Sequence, residues 1–131
     1  MVVDTSALIA ILRDEPEAIA IRDAMTTTRR RLISALTLFE ASTVLWGRFG
    51  DAMVQALHEL LDGWEPDVHA FDARQSGLAF AAYRRFGKGS GHPARLNLCD
   101  CAACALATSQ GLPLLFKGND FPYTDVRPAL A

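Results

Sequence analysis

Val2-Val3-Asp4-Thr5-Ser6-Ala7-Leu8-Ile9-Ala10-Ile11-Leu12 decides the fold class. A β-branched pair, an acid with two hydroxyl residues, and then an apolar run read as a buried strand, a tight turn and a helix. Asp4, Thr5 or Ser6 supplies the cap. The alternation continues outward from there. Asp14-Glu15-Pro16-Glu17 marks a loop and a second helix start, with Pro16 near its first position and the helix running to about Met25. Arg31 to Ser34 is strand-like, and Ser34 opens a helix from Ala35 to about Arg48. Gly50 closes it, and Asp51 starts another that runs to about Asp62. Pro66 to Phe71 reads as a third short strand, after which Asp72 caps a helix through Arg85. A glycine-rich loop, Gly87-Lys88-Gly89-Ser90-Gly91-His92-Pro93, precedes a helix from about Leu98 to Ser109, stopped by Gly111. Pro113 to Phe116 is the fourth strand, and a short fifth is expected to start at Val126. Strands alternating with helices predict a single α/β domain over residues 1–131: a parallel sheet of four or five strands with helices on both faces, three layers in all.

Composition narrows the function classes. With 131 residues, half of them hydrophobic, the chain can bury a core without staples. A net charge of -2 leaves no global footprint for nucleic acid, so a polyanion would be held by a local patch or through metal. The three cysteines, Cys99, Cys101 and Cys104, crowd into one predicted helix and form no disulfide framework. The apolar start lacks a basic n-region and carries Asp4, unlike a signal peptide. No stretch approaches the roughly 18 to 20 apolar residues of a membrane span. A cytoplasmic protein is the expectation.

Three acids sit where acids are expensive. Asp4 ends an apolar strand at the carboxyl edge of the sheet, where open parallel sheets bind ligands, although a helix cap alone would also explain it. Glu40 shares a helical face with Leu36, Thr37, Thr43 and Val44, with no Lys or Arg three or four positions away. The ordinary alternative is a surface Glu at the edge of an amphipathic stripe. Asp100 lies in Leu98-Cys99-Asp100-Cys101-Ala102-Ala103-Cys104, a helix apolar nearly all round and therefore expected to be buried. Backbone amides or a distant Arg could satisfy it, because an unpartnered buried carboxylate costs several kcal/mol. One arrangement accommodates all three: the acids converge on a cation. Carboxylates with hydroxyls nearby suit a hard ion, Mg²⁺ or Mn²⁺, over zinc.

Taken in order, these segments resemble the PIN-domain family. The similar pieces are Val2-Val3-Asp4-Thr5-Ser6-Ala7-Leu8, Glu40 early in the third helix, Leu96-Asn97-Leu98-Cys99-Asp100, and Leu114-Leu115-Phe116-Lys117-Gly118-Asn119-Asp120-Phe121. Size and the lack of other domains point to the VapC-type toxins of bacterial toxin–antitoxin pairs. The resemblance implies a Mg²⁺-dependent endoribonuclease acting on structured cellular RNA, a homodimer silenced by a cognate antitoxin. It implies Asp4 and Asp100 as principal metal ligands, with Glu40 completing the cluster. Asp120, or Asn119 as a neutral substitute, would stand for the family's fourth acid. Many relatives have Gly where this chain has Cys99. A PIN-like module that binds RNA or protein without cleaving is the alternative.

Cations, cysteines and aromatics lie outside this acidic pattern. Arg84, Arg85, Lys88, His92 and Arg95 flank the glycine loop without an acid among them, which fits either a solvated helix end or a phosphate-gripping lip. Arg84, Arg85, Lys88 and Arg95 are the expected RNA-binding residues. The cysteines read as small core residues, and Arg29-Arg30-Arg31 as a polar loop. Trp46, Phe49, Trp64 and Phe71 read mostly as core, with an exposed subset available to a partner. A phosphoryl-accepting receiver-like domain would also use an acid after strand one and a late Lys, here Lys117, but Val3-Asp4-Thr5 lacks its second acid.

Overall fold

Alternation along a strand sends successive side chains to opposite faces, and here it feeds two cores. The computed structural model describes residues 1–130, so only Ala131 of the expected domain lies outside the described residues. Val2 packs with Leu32 and Leu114 on one side of the sheet, and Val3 with Ile33 and Leu115 on the other. The elements are β1 (Val2–Val3), α1 (Thr5–Leu12), α2 (Ala18–Thr27), β2 (Leu32–Ser34), α3 (Ala35–Phe49), α4 (Asp51–Trp64), β3 (Asp67–His69), α5 (Ala73–Phe86), α6 (Leu98–Gln110) and β4 (Leu114–Leu115), then a 3₁₀ turn, Phe121–Tyr123. The four strands lie in the order β3-β2-β1-β4 and every pairing is parallel. Helices α5 and α6 cover the Val2 face, and α1 to α4 cover the Val3 face. This is the expected three-layer α/β domain.

The sheet is narrow, so few residues carry it. Leu32, Leu114 and Leu115 are wholly buried. Truncating any one to Ala would cost about 2–5 kcal/mol, against a typical total stability of about 5–15 kcal/mol. Residues Cys101 to Ala107 of α6 are all buried. Its small side chains let it lie close against the sheet and α5, which is the structural use of Cys101 and Cys104.

The expected punctuation is present. The Ser34 hydroxyl accepts the Leu36 N–H at 3.3 Å, and Asp72 accepts the Gln75 N–H at 2.9 Å. Gly50 and Gly111 close α3 and α6 with φ of 80° and 63°, a region that favours glycine. Other expectations need correction. No fifth strand starts at Val126; pairing there is confined to a parallel bridge between Leu114 and Pro128, in which Leu114 N–H donates to Arg127 O at 2.9 Å and Ala129 N–H to Leu114 O at 2.8 Å. The third strand is shorter than Pro66–Phe71, since Phe71 turns in to pack against the α5–α6 core. Of the four aromatics, Trp64 and Phe71 pack against the two cores, and Trp46 and Phe49 are the exposed subset, at 62% and 42%. Arg31 is more than loop, because its guanidinium donates to the carbonyls of Met25, Thr28 and Trp64 and ties α2 to α4.

Candidate active site at the carboxyl end of the sheet

β1 has β2 on one side and β4 on the other, so the chain leaves its carboxyl end at a switch in winding direction. A crevice opens at such a point in doubly wound sheets. Asp4 occupies it. Its N–H continues the sheet by donating to the Leu115 carbonyl at 2.9 Å, while its side chain caps α1. Oδ2 accepts both the Ser6 N–H at 3.0 Å and the Ser6 hydroxyl at 2.6 Å. Oδ1 is buried and has no hydrogen-bond partner. Burial pushes the Asp4 carboxyl up to about 6, against the opposing pull of the two Ser6 bonds and with a further rise from the charge of Glu40. Asp4 is thus a helix cap through one oxygen, and its other oxygen is bare.

Asp100 arrives from the opposite side, on the first turn of α6. It is partly exposed, not enclosed as the apolar helix suggested. The reason is a capping box: Asn97 accepts the Asp100 N–H at 2.8 Å, and Asp100 Oδ2 accepts the Asn97 N–H at 2.9 Å. The Asn-x-x-Asp spacing at 97 and 100 is the available sequence signal for it. Burial raises the Asp100 carboxyl to about 7, opposed by the Asn97 N–H and reinforced by the charges of Asp4, Glu40 and Asp120. These influences bring the acids of four separate segments into one electrostatic cluster.

Glu40 is half-buried on α3. The partly exposed Cys99 thiol is pushed up to about 12, first by burial and then by the charge of Glu40 beside it, so it stays protonated. Asp120 and Asn119 are exposed on the segment after β4. Asp120 lies within electrostatic reach of Asp100, and Asn119 lines a groove with Lys117 and Glu17. Among the described residues no three His, Cys, Asp or Glu side chains are grouped closely enough to hold an ion between them. The donor set nevertheless fits a hard divalent cation. It offers a bare, buried carboxylate oxygen amid like charges, and ions such as Mg²⁺ keep several waters rather than filling an all-protein cage.

The expected RNA-binding cations differ among themselves. Arg84, Lys88 and Arg95 are exposed. Arg85 is tied to Asp125 at 2.8 Å and lies over the Phe86 ring at 4.5 Å, which occupies its charge. The loop is braced: Lys88 N–H donates to Leu96 O at 2.8 Å, Tyr83 O–H donates to Lys88 O at 2.6 Å, and His92 Nδ1 accepts the Ala94 N–H at 3.1 Å. It leads directly into Asn97 and the turn that carries Asp100.

Comparison with known proteins places this arrangement. The family model described as PIN domain matches residues 1–126. The chain belongs to the PIN-domain family. Ribonuclease VapC28 of Mycobacterium tuberculosis is 48% identical over 130 residues, covering 99% of this chain and 98% of its own length. Ribonuclease VapC42 of the same organism is 43% identical over 129 residues, covering 98% of each. Among solved structures, Mycobacterium tuberculosis VapC20, described as a Sarcin-Ricin loop cleaving toxin, has a TM-score of 0.74 at 20% identity and covers 97% of this chain and 98% of its own. The DNA-bound VapBC of Salmonella typhimurium has a TM-score of 0.66 at 23% identity, with 98% and 92% covered. At those identities the solved structures establish the PIN fold. The curated relatives tie this PIN domain to the VapC ribonucleases.

Proposed function

We propose that this PIN domain is a divalent-metal-dependent endoribonuclease and the toxin of a toxin–antitoxin pair. The observation that carries the reading is the bare, buried Oδ1 of Asp4, set beside Asp100 and Glu40. In a chain related over its whole length to VapC ribonucleases, that oxygen has a use: it is a ligand waiting for a cation. Asp4 and Asp100 would hold Mg²⁺, for which Mn²⁺ can substitute. Glu40 would complete the cluster, and Asp120 takes the fourth acidic place rather than Asn119, because its charge reaches Asp100. When bound, the ion supplies positive charge at the attacked phosphodiester and makes water more acidic. Ser6 keeps Asp4 turned, with Oδ2 occupied and Oδ1 presented. The Asn97 amide does the same for Asp100.

Arg84, Lys88 and Arg95, and more weakly Arg85, would grip the backbone of an RNA laid across the acids. The reading extends to a homodimer and to a cognate antitoxin. The exposed apolar side chains Phe39, Trp46 and Phe80 offer surface for such partners, and two solved neighbours are described as a toxin–antitoxin complex and a DNA-bound VapBC. No helix among the described residues is long and apolar enough to cross a membrane, in keeping with a place in the cytoplasm.

Incubation of the purified protein with total RNA, with Mg²⁺, with Mn²⁺ and with chelator, tests the reading. Discrete cleavage products are expected with either ion and none with chelator. RNA binding without cleavage under every condition would return the chain to the non-catalytic alternative.

A further inference from the structure

The β1–β4 ladder ends irregularly, and Lys117 stands at the irregularity. Val2 N–H donates to Pro113 O at 2.8 Å and Asp4 N–H to Leu115 O at 2.9 Å. A parallel ladder with this even spacing would next send the Lys117 N–H to the Asp4 carbonyl. That carbonyl is already engaged by the Ala7 and Leu8 N–H groups at the start of α1. Lys117 N–H instead finds the Ser6 hydroxyl oxygen at 2.9 Å, and the same hydroxyl donates to Asp4 Oδ2 at 2.6 Å. One accepted bond therefore sets the direction of the donated one, and so the face that Asp4 turns to the site.

The side chain of the same residue links the segment after β4 to the turn between α1 and α2. Its ammonium pairs with Glu15, and with Glu17 at 3.2 Å, both in that turn. Three residues on, Asp120 stands exposed between this clamp and the buried Phe121, whose ring lies 5.0 Å from that of Phe116. The segment that brings Asp120 toward Asp100 is thus held at one end by Lys117 and at the other by an aromatic pair.

We propose that the Lys117 side chain is a positioning group for the acidic site: its ion pairs with Glu15 and Glu17 anchor the segment after β4, and so hold both the Lys117 backbone N–H on the Ser6 hydroxyl and the Asp120 turn in place. It touches no substrate. The inference rests on the metal-dependent reading of the site, but it makes a separate prediction. As a mere positive charge, Lys117 would repel a cation, and its removal would leave metal affinity unchanged or increased. As a positioning residue, its removal must weaken metal binding. The two roles have opposite signs.

Mn²⁺ binding, followed by electron paramagnetic resonance on the full chain without RNA, reads the difference. Lys117→Met, which keeps the aliphatic stem and the backbone N–H, is expected to weaken Mn²⁺ binding by roughly tenfold, the lower end of what removal of groups that orient metal ligands costs. Lys117→Arg, which can keep the ion pairs, should restore most of it. Melting in chelator should show Lys117→Met folded. Unchanged or tighter Mn²⁺ binding by Lys117→Met would overturn the positioning role while leaving the metal site intact. Absence of Mn²⁺ binding by the unaltered protein would overturn both.

Discussion

Asp4 and Asp100 both lie at helix N-termini, and both spend one oxygen on capping, yet the fold treats them differently. Asp4 closes a strand, is 2% exposed, and has its free oxygen sealed away without a partner. Asp100 sits on the third residue of α6, is partly open to water, and is held by a reciprocal cap with Asn97. A helix N-terminus favours a carboxylate by about 0.3–1 kcal/mol. Both carboxyls are nonetheless raised, to about 6 and about 7, with burial as the leading cause. Desolvation and mutual repulsion outweigh caps and dipole together. A cap explains why each acid is tolerated, and does not explain why both stand in one cluster.

The largest effect expected from breaking the comparison is on cleavage. Asp4→Asn keeps an acceptor for Ser6 but removes the bare anionic oxygen, so metal-dependent RNA cleavage should be abolished. Glu40→Gln should do the same. Gel assays with Mg²⁺ and with chelator check this, and full activity in either variant would remove that acid from the site. The Mg²⁺-induced rise in melting temperature should vanish in Asp4→Asn as well, since an ion stabilises only the state that binds it.

Next comes the pH dependence of the metal-free protein. Raised carboxyls bind protons more tightly in the folded chain than in the unfolded one, so stability increases as pH falls through about 7 and about 6, and the gain is complete near 4. Melting in chelator between pH 8 and pH 5 should show a rising transition temperature from these groups, and Mg²⁺ should reduce the slope. Asp100→Asn should stabilise the metal-free protein at pH 8 by about 1 kcal/mol, a figure kept small because the side chain is partly screened by water. A falling transition temperature over this range in wild type would contradict the raised carboxyls.

A finer comparison separates cap from charge. Asp100→Asn retains an acceptor for the Asn97 N–H, whereas Asp100→Ala removes it. Chemical denaturation in chelator should find the Ala variant less stable than the Asn variant by about 1 kcal/mol. Equal stabilities would mean that the cap contributes nothing. The smallest effect belongs to the cations beyond both acids. Replacing Lys88 and Arg95 by Gln should weaken RNA binding and reduce its salt slope by about one for each phosphate left without its cation, with the Mg²⁺ shift unchanged. Arg85→Gln should do less, because Arg85 is already paired with Asp125.

Much of this architecture is legible in the residues. The period of the apolar pattern marks the strands and helices, Ser34, Asp72, Gly50 and Gly111 mark their limits, and acids in apolar settings mark the candidate site. These signals are local, and local chemistry is what a linear sequence carries. Other features are not legible, and the reasons are physical. A β-branched start at Val126 does not say whether a partner strand lies beside it, and there the pairing is confined to the bridge between Leu114 and Pro128. Hydrophobicity alone does not say which of Trp46, Phe49, Trp64 and Phe71 form the exposed subset, because it does not say which side of a helix a sheet will cover. Apolar neighbours likewise predict an enclosed Asp100, whereas the cap at Asn97 holds it at the open end of α6.

The sequence by itself determined that Asp4 ends a strand and begins a helix, since both assignments follow from residues within one turn of it. Only the tertiary structure decided which oxygen of Asp4 is bare. That depends on Ser6, whose hydroxyl accepts the backbone N–H of Lys117, 111 residues away in the chain and brought beside it just past the end of the β1–β4 ladder. Strand order brings those groups together, and long-range pairing is the one property that no local pattern of side chains encodes.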